Sequence, residues 1–173
     1  NSQGGAAGMR FAVNYPERLG KLILMGPAGG AISPFTPTPL EGIKALSKWW
    51  DEPSRDNMKK IVDLFVHDEA LKTDELIDRR HNAAMSHPEH MEARKKSNES
   101  RFDGILIAHL IKSPTLIIWG REDRFSPLDF GLNLVARVPN SQFHMFPQCG
   151  HWCQYEKSDE FNRLVIDFLL NSN

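Results

Sequence analysis

Three residues in this 173-residue chain could together split a carbonyl compound: Ser2, Asp123 and His151. A serine hydroxyl attacks only when a base takes its proton, and an imidazole base works best when an acid fixes its tautomer and steadies its positive form. Ser2 lies in the run Asn1-Ser2-Gln3-Gly4-Gly5, just before the apolar, helix-like stretch Ala6 to Val13. A serine followed by small residues and then a helix is the second half of a G-x-S-x-G elbow, the tight strand-to-helix turn that holds a serine oxygen at the edge of a sheet. Gly4 and Gly5 are expected to leave room where helix and strand backbones approach. The residue before Asn1 and the strand leading into the turn are expected upstream, so that the sequence begins inside its own site. An amino-terminal nucleophile would use the amine of the first residue as its base, and with asparagine first that reading loses its base.

Each of the three residues also has a plainer reading. Ser2 beside glycine is a flexible terminus. Asp123 is a loop acid paired with Arg121 or Arg124, and Glu122 competes with it as the third member. His151 is a helix-entry residue in a glycine turn.

The elements around these residues favour the triad. Lys21-Leu22-Ile23-Leu24-Met25 reads as a buried strand closed by Gly26-Pro27, and Ser113-Pro114 opens a second run, Thr115 to Gly120. Strands that are apolar throughout are covered on both faces, as in a parallel sheet. Arg121 to Pro127 then forms a polar loop at a strand's carboxyl end, where ligands of open α/β sheets bind. Leu128 to Val138 reads as a helix and Ser141 to Phe146 as the last strand, followed by the loop Pro147 to Trp152. A final helix from about Ser158 to Leu170 places Phe161, Leu164, Val165, Phe168 and Leu169 on one face. The candidates thus fall in the order serine, acid, histidine, each after its own strand. That order belongs to α/β-hydrolases, whereas other serine-hydrolase folds arrange the three differently.

Between the first two strands, from about Leu40 to Leu110, the apolar spacing is helical. Leu40 to Trp50 and Met58 to Phe65 read as helices, the second capped by Ser54; a third starts at Thr73 and carries Arg80; a fourth begins at Pro88. A helical insert of this length predicts a cap over a site. The division expected is residues 1–30 and 113–173 for the sheet-bearing core and 31–112 for the cap.

Composition narrows the function classes. With 21 Lys and Arg against 22 Asp and Glu, and no basic run interleaved with aromatics, nothing points to nucleic acid. The longest apolar runs are far too short to span a bilayer. Cys149 and Cys153 flank His151, but two thiols alone make a poor zinc site, and reduced thiols are the expected state. His81, His87 and His90 do not share one helical face and Pro88 interrupts them, so they are expected as solvated surface. No metal and no cofactor is expected.

The runs Asn1 to Gly5, Leu22-Ile23-Leu24-Met25-Gly26-Pro27, Trp119-Gly120-Arg121-Glu122-Asp123-Arg124, Cys149-Gly150-His151-Trp152 and Asp159-Glu160-Phe161-Asn162 closely resemble the meta-cleavage product hydrolases. These α/β-hydrolases break carbon–carbon bonds in bacterial aromatic degradation, acting on 2-hydroxy-6-oxohexa-2,4-dienoates such as the biphenyl ring-fission product. The resemblance covers essentially the whole chain, loosely in the cap, and matches the carboxyl-terminal part of a family member. It implies a partial α/β-hydrolase fold, the last strands of a mostly parallel sheet with a helical cap. It also implies that Ser2 is the nucleophile or hydroxyl catalyst, His151 the acid and base, and Asp123 its partner. The Gln3 amide would donate to an oxyanion, Arg80 would contact the charged dienoate end, and Asn1 and Trp152 would line the pocket. Gln3 stands where the family often has methionine or leucine, which matters little because the backbone amide does the work. The resemblance further implies a small ring-fission product as the binding partner, a cytoplasmic location, and a homo-oligomer when full length, without nucleic acid or membrane. The competing readings are a carboxylesterase of the same fold and an inactive fragment lacking the amino-terminal half.

Overall fold

The apolar runs around Leu24 and Ile117 lie side by side as parallel strands in a computed structural model, which describes residues 1–29, 35–36, 39–97 and 103–171. Helix α1 (Ser2–Asn14) leads into β1 (Leu22–Met25). Helices α2 (Glu41–Asp51), α3 (Arg55–Phe65), α4 (Asp74–Met85) and α5 (Pro88–Ser97) follow, then the one-turn α6 (Gly104–Ile107) and β2 (Thr115–Gly120). The described chain ends with α7 (Leu128–Arg137), β3 (Ser141–Phe146), the one-turn α8 (Cys153–Glu156) and α9 (Ser158–Asn171).

The three strands pair in the order β1-β2-β3, Leu22 opposite Thr115 and Thr115 opposite Ser141, all parallel. Every residue of the middle strand β2 is buried, while β3, on the edge, stays partly exposed. Parallel pairing brings three strand ends to one side of the sheet. There Gly26, the loop Arg121 to Arg124 and the loop Pro147 to Trp152 meet.

Alternation along the strands divides the core. Leu22, Leu24, Ile117 and Trp119 pack under α1, α6 and α7 with Met9, Ile105, Phe130 and Leu134. Met25, Leu116 and Ile118 face the other way, onto Cys153 of α8 and Phe168 of α9, together with Phe146 at the end of β3 and Cys149 in the loop after it. α6 therefore covers the sheet: Ile105, Ala108 and Ile111 belong to the sheet core. The expected stripe of α9 needs one correction. Phe161, Leu164, Val165 and Phe168 pack inward, but Leu169 is 46% exposed. At about 100° per residue, position 169 is turned roughly 80° from position 161 and leaves the buried face.

Helices α2 to α5 have a core of their own, built on Trp49, Met58, Ile61, Val62, Leu76 and Ile77. The Ser54 cap expected from sequence is present, and Thr73, expected as a helix start, also serves as a cap. Ser54 Oγ accepts from the Asn57 amide at 3.2 Å and Thr73 Oγ1 from the Leu76 amide at 3.1 Å. Arg55 reaches from the start of α3 to Asp74 and Asp78 of α4.

Gly120, at the end of β2, has no room for a side chain, because an added Cβ would run into the carbonyl oxygens of Cys149 and Gly150. Backbone oxygens, one of them fixed by the Glu122 amide, cannot yield as a flexible side chain would. Gly120→Ala is therefore expected to destabilise the fold by about 3 kcal/mol in urea unfolding. Gly20→Ala, whose Cβ would meet nothing within 4 Å, should stay within about 0.5 kcal/mol.

Candidate active site

Ser2 sits at the first turn of α1 with a backbone φ of 48°. A non-glycine residue in the left-handed region is strained, and such strain persists only where the surroundings hold it. Here the holding contacts are specific. The Ser2 carbonyl accepts from the Ala28 amide at 2.8 Å, and the Asn1 side chain donates to the Met25 carbonyl at 3.0 Å. Gly5 lies against Pro27, where an added Cβ would come within 2.6 Å of the proline Cβ. Gly4, by contrast, faces open space, so only one of the two glycines has the steric role expected of both.

His151 and Asp123 meet at the same end of the sheet. Their side chains are each 1% exposed, and His151 Nδ1 lies 2.7 Å from Asp123 Oδ2. The other carboxylate oxygen, Oδ1, accepts from the Phe125 and Ser126 amides, both at 2.8 Å. With Oδ1 accepting from two amides and Oδ2 facing the ring, Nδ1 is the ring nitrogen placed to donate to the carboxylate. Nε2 is then left as the acceptor. It is buried and has no hydrogen-bond partner among the described residues, so Ser2 does not bond it in this structure. An imidazole held in this way can take a proton at Nε2 and return it. Gly26 brings the β1 end up to this pair: its φ is 45°, and an added Cβ would sit 3.0 Å from the His151 ring and 3.3 Å from Asp123 Oδ2. The segment from Met25 to Ala28 is thus packed against both the serine turn and the imidazole.

The helical segment closes over the pair from above the sheet end. Phe65, at the end of α3, stacks on the His151 ring with centroids 4.9 Å apart and 28° between planes, and its carbonyl accepts from the His151 amide at 2.7 Å. Phe125 packs against the same ring at 4.9 Å. Trp152, the next residue, enters the core of α2 to α5 beside Phe65. The guanidinium of Arg80, on α4, lies over the Trp152 ring, 5.2 Å from its centroid. Arg80 and Trp152, remote in sequence, are therefore neighbours.

The remaining expectations resolve by geometry. Glu122 does not reach His151. Its Oε2 accepts from the Cys149 amide at 3.0 Å and its Oε1 is paired with Arg121, while Arg124 is paired with Glu41. Burial works against ionisation of Glu122, yet the Cys149 amide and Arg121 outweigh it and hold the carboxyl below its ordinary range. Asp123 is left free of both arginines. Gln3 is exposed in the first turn of α1, and the Asn1 amide, expected to line a pocket, is committed to Met25. Cys149 and Cys153 are free and buried, and the Cys149 sulfur together with burial pushes the Cys153 thiol up, so it stays protonated. Phe65, Phe125 and Glu156 went unsuspected in the sequence. Phe125 stands two residues after the acid, the one local signal that could have found it; Phe65 and Glu156 reach the site only through tertiary packing.

Residues 1–158 match the family described as alpha/beta hydrolase fold. The chain is 49% identical, over 99% of its length, to a 2-hydroxy-6-oxo-6-phenylhexa-2,4-dienoate hydrolase of Burkholderia cepacia. It is also 49% identical to a 2-hydroxy-6-oxononadienedioate/2-hydroxy-6-oxononatrienedioate hydrolase of Comamonas testosteroni. It spans 61% of the length of each of these relatives. Among solved structures, a meta-cleavage product hydrolase from Pseudomonas fluorescens IP01 superposes with a TM-score of 0.83 at 34% identity, over 100% of this chain and 64% of that one.

Glu156 supplies a test of how the histidine loop is held. Its carboxylate accepts from the amides of Gly150 at 2.7 Å, His67 at 2.7 Å and Asp68 at 2.9 Å, tying that loop to the turn after α3. Glu156→Ala strands three donors and is expected to cost about 2 kcal/mol or more in denaturant unfolding. Glu156→Gln, which keeps one acceptor oxygen, should fall between it and wild type, and the exposed Glu160→Ala should be close to neutral.

Proposed function

The chain belongs to the α/β-hydrolase fold family, and on that footing we propose that the protein carrying it hydrolyses the carbon–carbon bond beside the 6-oxo group of a 2-hydroxy-6-oxohexa-2,4-dienoate. The observation that carries this reading is the buried His151–Asp123 pair, with Nε2 unbonded at the sheet end where the strained Ser2 turn also lies. The substrate class comes from the names of the relatives and of the superposed structure.

In this reading the substrate first shifts from dienol to ketone: a proton leaves the 2-hydroxyl and one is delivered to C5. His151 moves the proton at Nε2, while Asp123 keeps Nδ1 protonated. The Ser2 hydroxyl, or water acting through it, then adds to the C6 carbonyl, and the Gln3 amide donates to the oxyanion that forms. The C5–C6 bond breaks with its electron pair passing into the pentadienoate. Water is consumed overall; 2-hydroxypenta-2,4-dienoate and a carboxylic acid leave. Arg80 pairs with the substrate carboxylate, a charge-assisted contact, and Trp152 backs its guanidinium. Helices α2 to α5 serve as the cap over this chemistry, and Asn1 shapes the pocket through its hold on β1. No metal or cofactor takes part. Buried free thiols at Cys149 and Cys153 suit a reducing compartment, which supports a cytoplasmic location, and the assembly in this reading is a homo-oligomer.

The test is loss of the yellow absorbance of 2-hydroxy-6-oxo-6-phenylhexa-2,4-dienoate with release of benzoate. Ser2→Ala and His151→Ala should each lower kcat by about a thousandfold or more. Arg80→Ala should lower kcat/KM on the dienoate by roughly 10- to 100-fold, the value of a lost charge-assisted hydrogen bond, while sparing neutral esters that offer no carboxylate. Equal losses on both substrates would make Arg80 structural. Rapid ester hydrolysis with the dienoate absorbance intact would overturn the carbon–carbon reading in favour of a carboxylesterase.

A further inference from the structure

A donor cluster that the proposed reaction does not use lies where α4 gives way to α5. Pro88 starts α5 and fixes the turn, and the His90 amide donates to the His87 carbonyl at 3.0 Å, which sets the two histidines on the same side of the corner. Their rings stack with centroids 5.0 Å apart and 21° between planes. His87 Nδ1 is 2.9 Å from Glu89 Oε1, and one ligand atom from each of His87, Glu89 and His90 lies within 4.8 Å of the other two. Helical periodicity alone misplaces this set, because His87 stands outside the helix and joins His90 only through the proline turn. His81, on α4, is not part of it.

We infer that His87, Glu89 and His90 form a binding site for a late first-row divalent cation of the zinc class. Two imidazole nitrogens and one carboxylate oxygen are the donor set of borderline cations; calcium and magnesium require oxygen donors. Bonds of about 2.0–2.2 Å place tetrahedral ligand atoms roughly 3.3 Å apart. The His87–Glu89 pair is already inside that separation, and the others close by rotation of exposed side chains without backbone movement. Three protein ligands leave one position for water. A cation held there would clamp the first turn of α5 to the turn that precedes it.

The experiment uses protein purified without a polyhistidine tag, titrated with Zn2+ by calorimetry and with Co2+ by visible absorbance. One equivalent is expected to bind at a Kd of about 10 μM. His87→Ala and His90→Ala should each weaken it at least tenfold, Glu89→Gln several-fold, and His81→Ala not at all. Zn2+ should raise the Tm of wild type but not of the doubly substituted His87→Ala, His90→Ala protein, whose Tm without metal matches wild type because both side chains are exposed. Absence of binding at 1 mM metal, or binding that survives both histidine substitutions, would overturn the assignment. The result is independent of whether the dienoate reaction takes place.

Discussion

A carboxylate that is 1% exposed has to be answered by donors, and the arrangement around Asp123 follows from that requirement. Two donors are amides of its own loop, from Phe125 and Ser126, so the loop must turn tightly straight after the acid. The third is the His151 ring, which must come from the loop after the next strand. Parallel pairing makes this possible. In the register that sets Gly120 opposite Phe146, both loops leave the sheet at the same end and at neighbouring strands. Removal of the histidine would leave a buried charge short of one partner, which is far costlier than the loss of an exposed contact.

Two other carboxylates hold the frame without touching the His151 ring. Glu122 and Glu156 both accept from amides of the loop that carries His151, one from the strand side and one from α8. The helical segment is fastened to the same two loops: α2 through Glu41 and Arg124, α3 through Phe65 and His151, and its core through Trp152. Motion of the helical layer would therefore be felt at the imidazole, since Phe65 both stacks on the ring and accepts from its amide. The contact of Arg80 with Trp152 belongs to the same link, joining α4 to the residue beside the histidine.

The sequence alone determined the features that depend on neighbours along the chain. Apolar runs without alternation marked β1 and β2 as buried, serine ahead of α3 marked its cap, Thr73 marked the start of α4, and the order of serine, acid and histidine after successive strands pointed to the fold. These were legible because helix periodicity, capping and strand burial are set within a few residues. Residue-level choices across loops were not. Whether Glu122 or Asp123 would reach His151 turned on the path of the loop after β2, which directs one carboxylate to the ring and its neighbour to the Cys149 amide. Only the tertiary structure placed Phe65 on the imidazole, gave Gly5 but not Gly4 a close neighbour, and gathered His87 and His90 around a proline corner. Each of these depends on the approach of segments distant in sequence or on a break in helical periodicity, and no local pattern of residue types encodes the distance between two elements that fold onto one another.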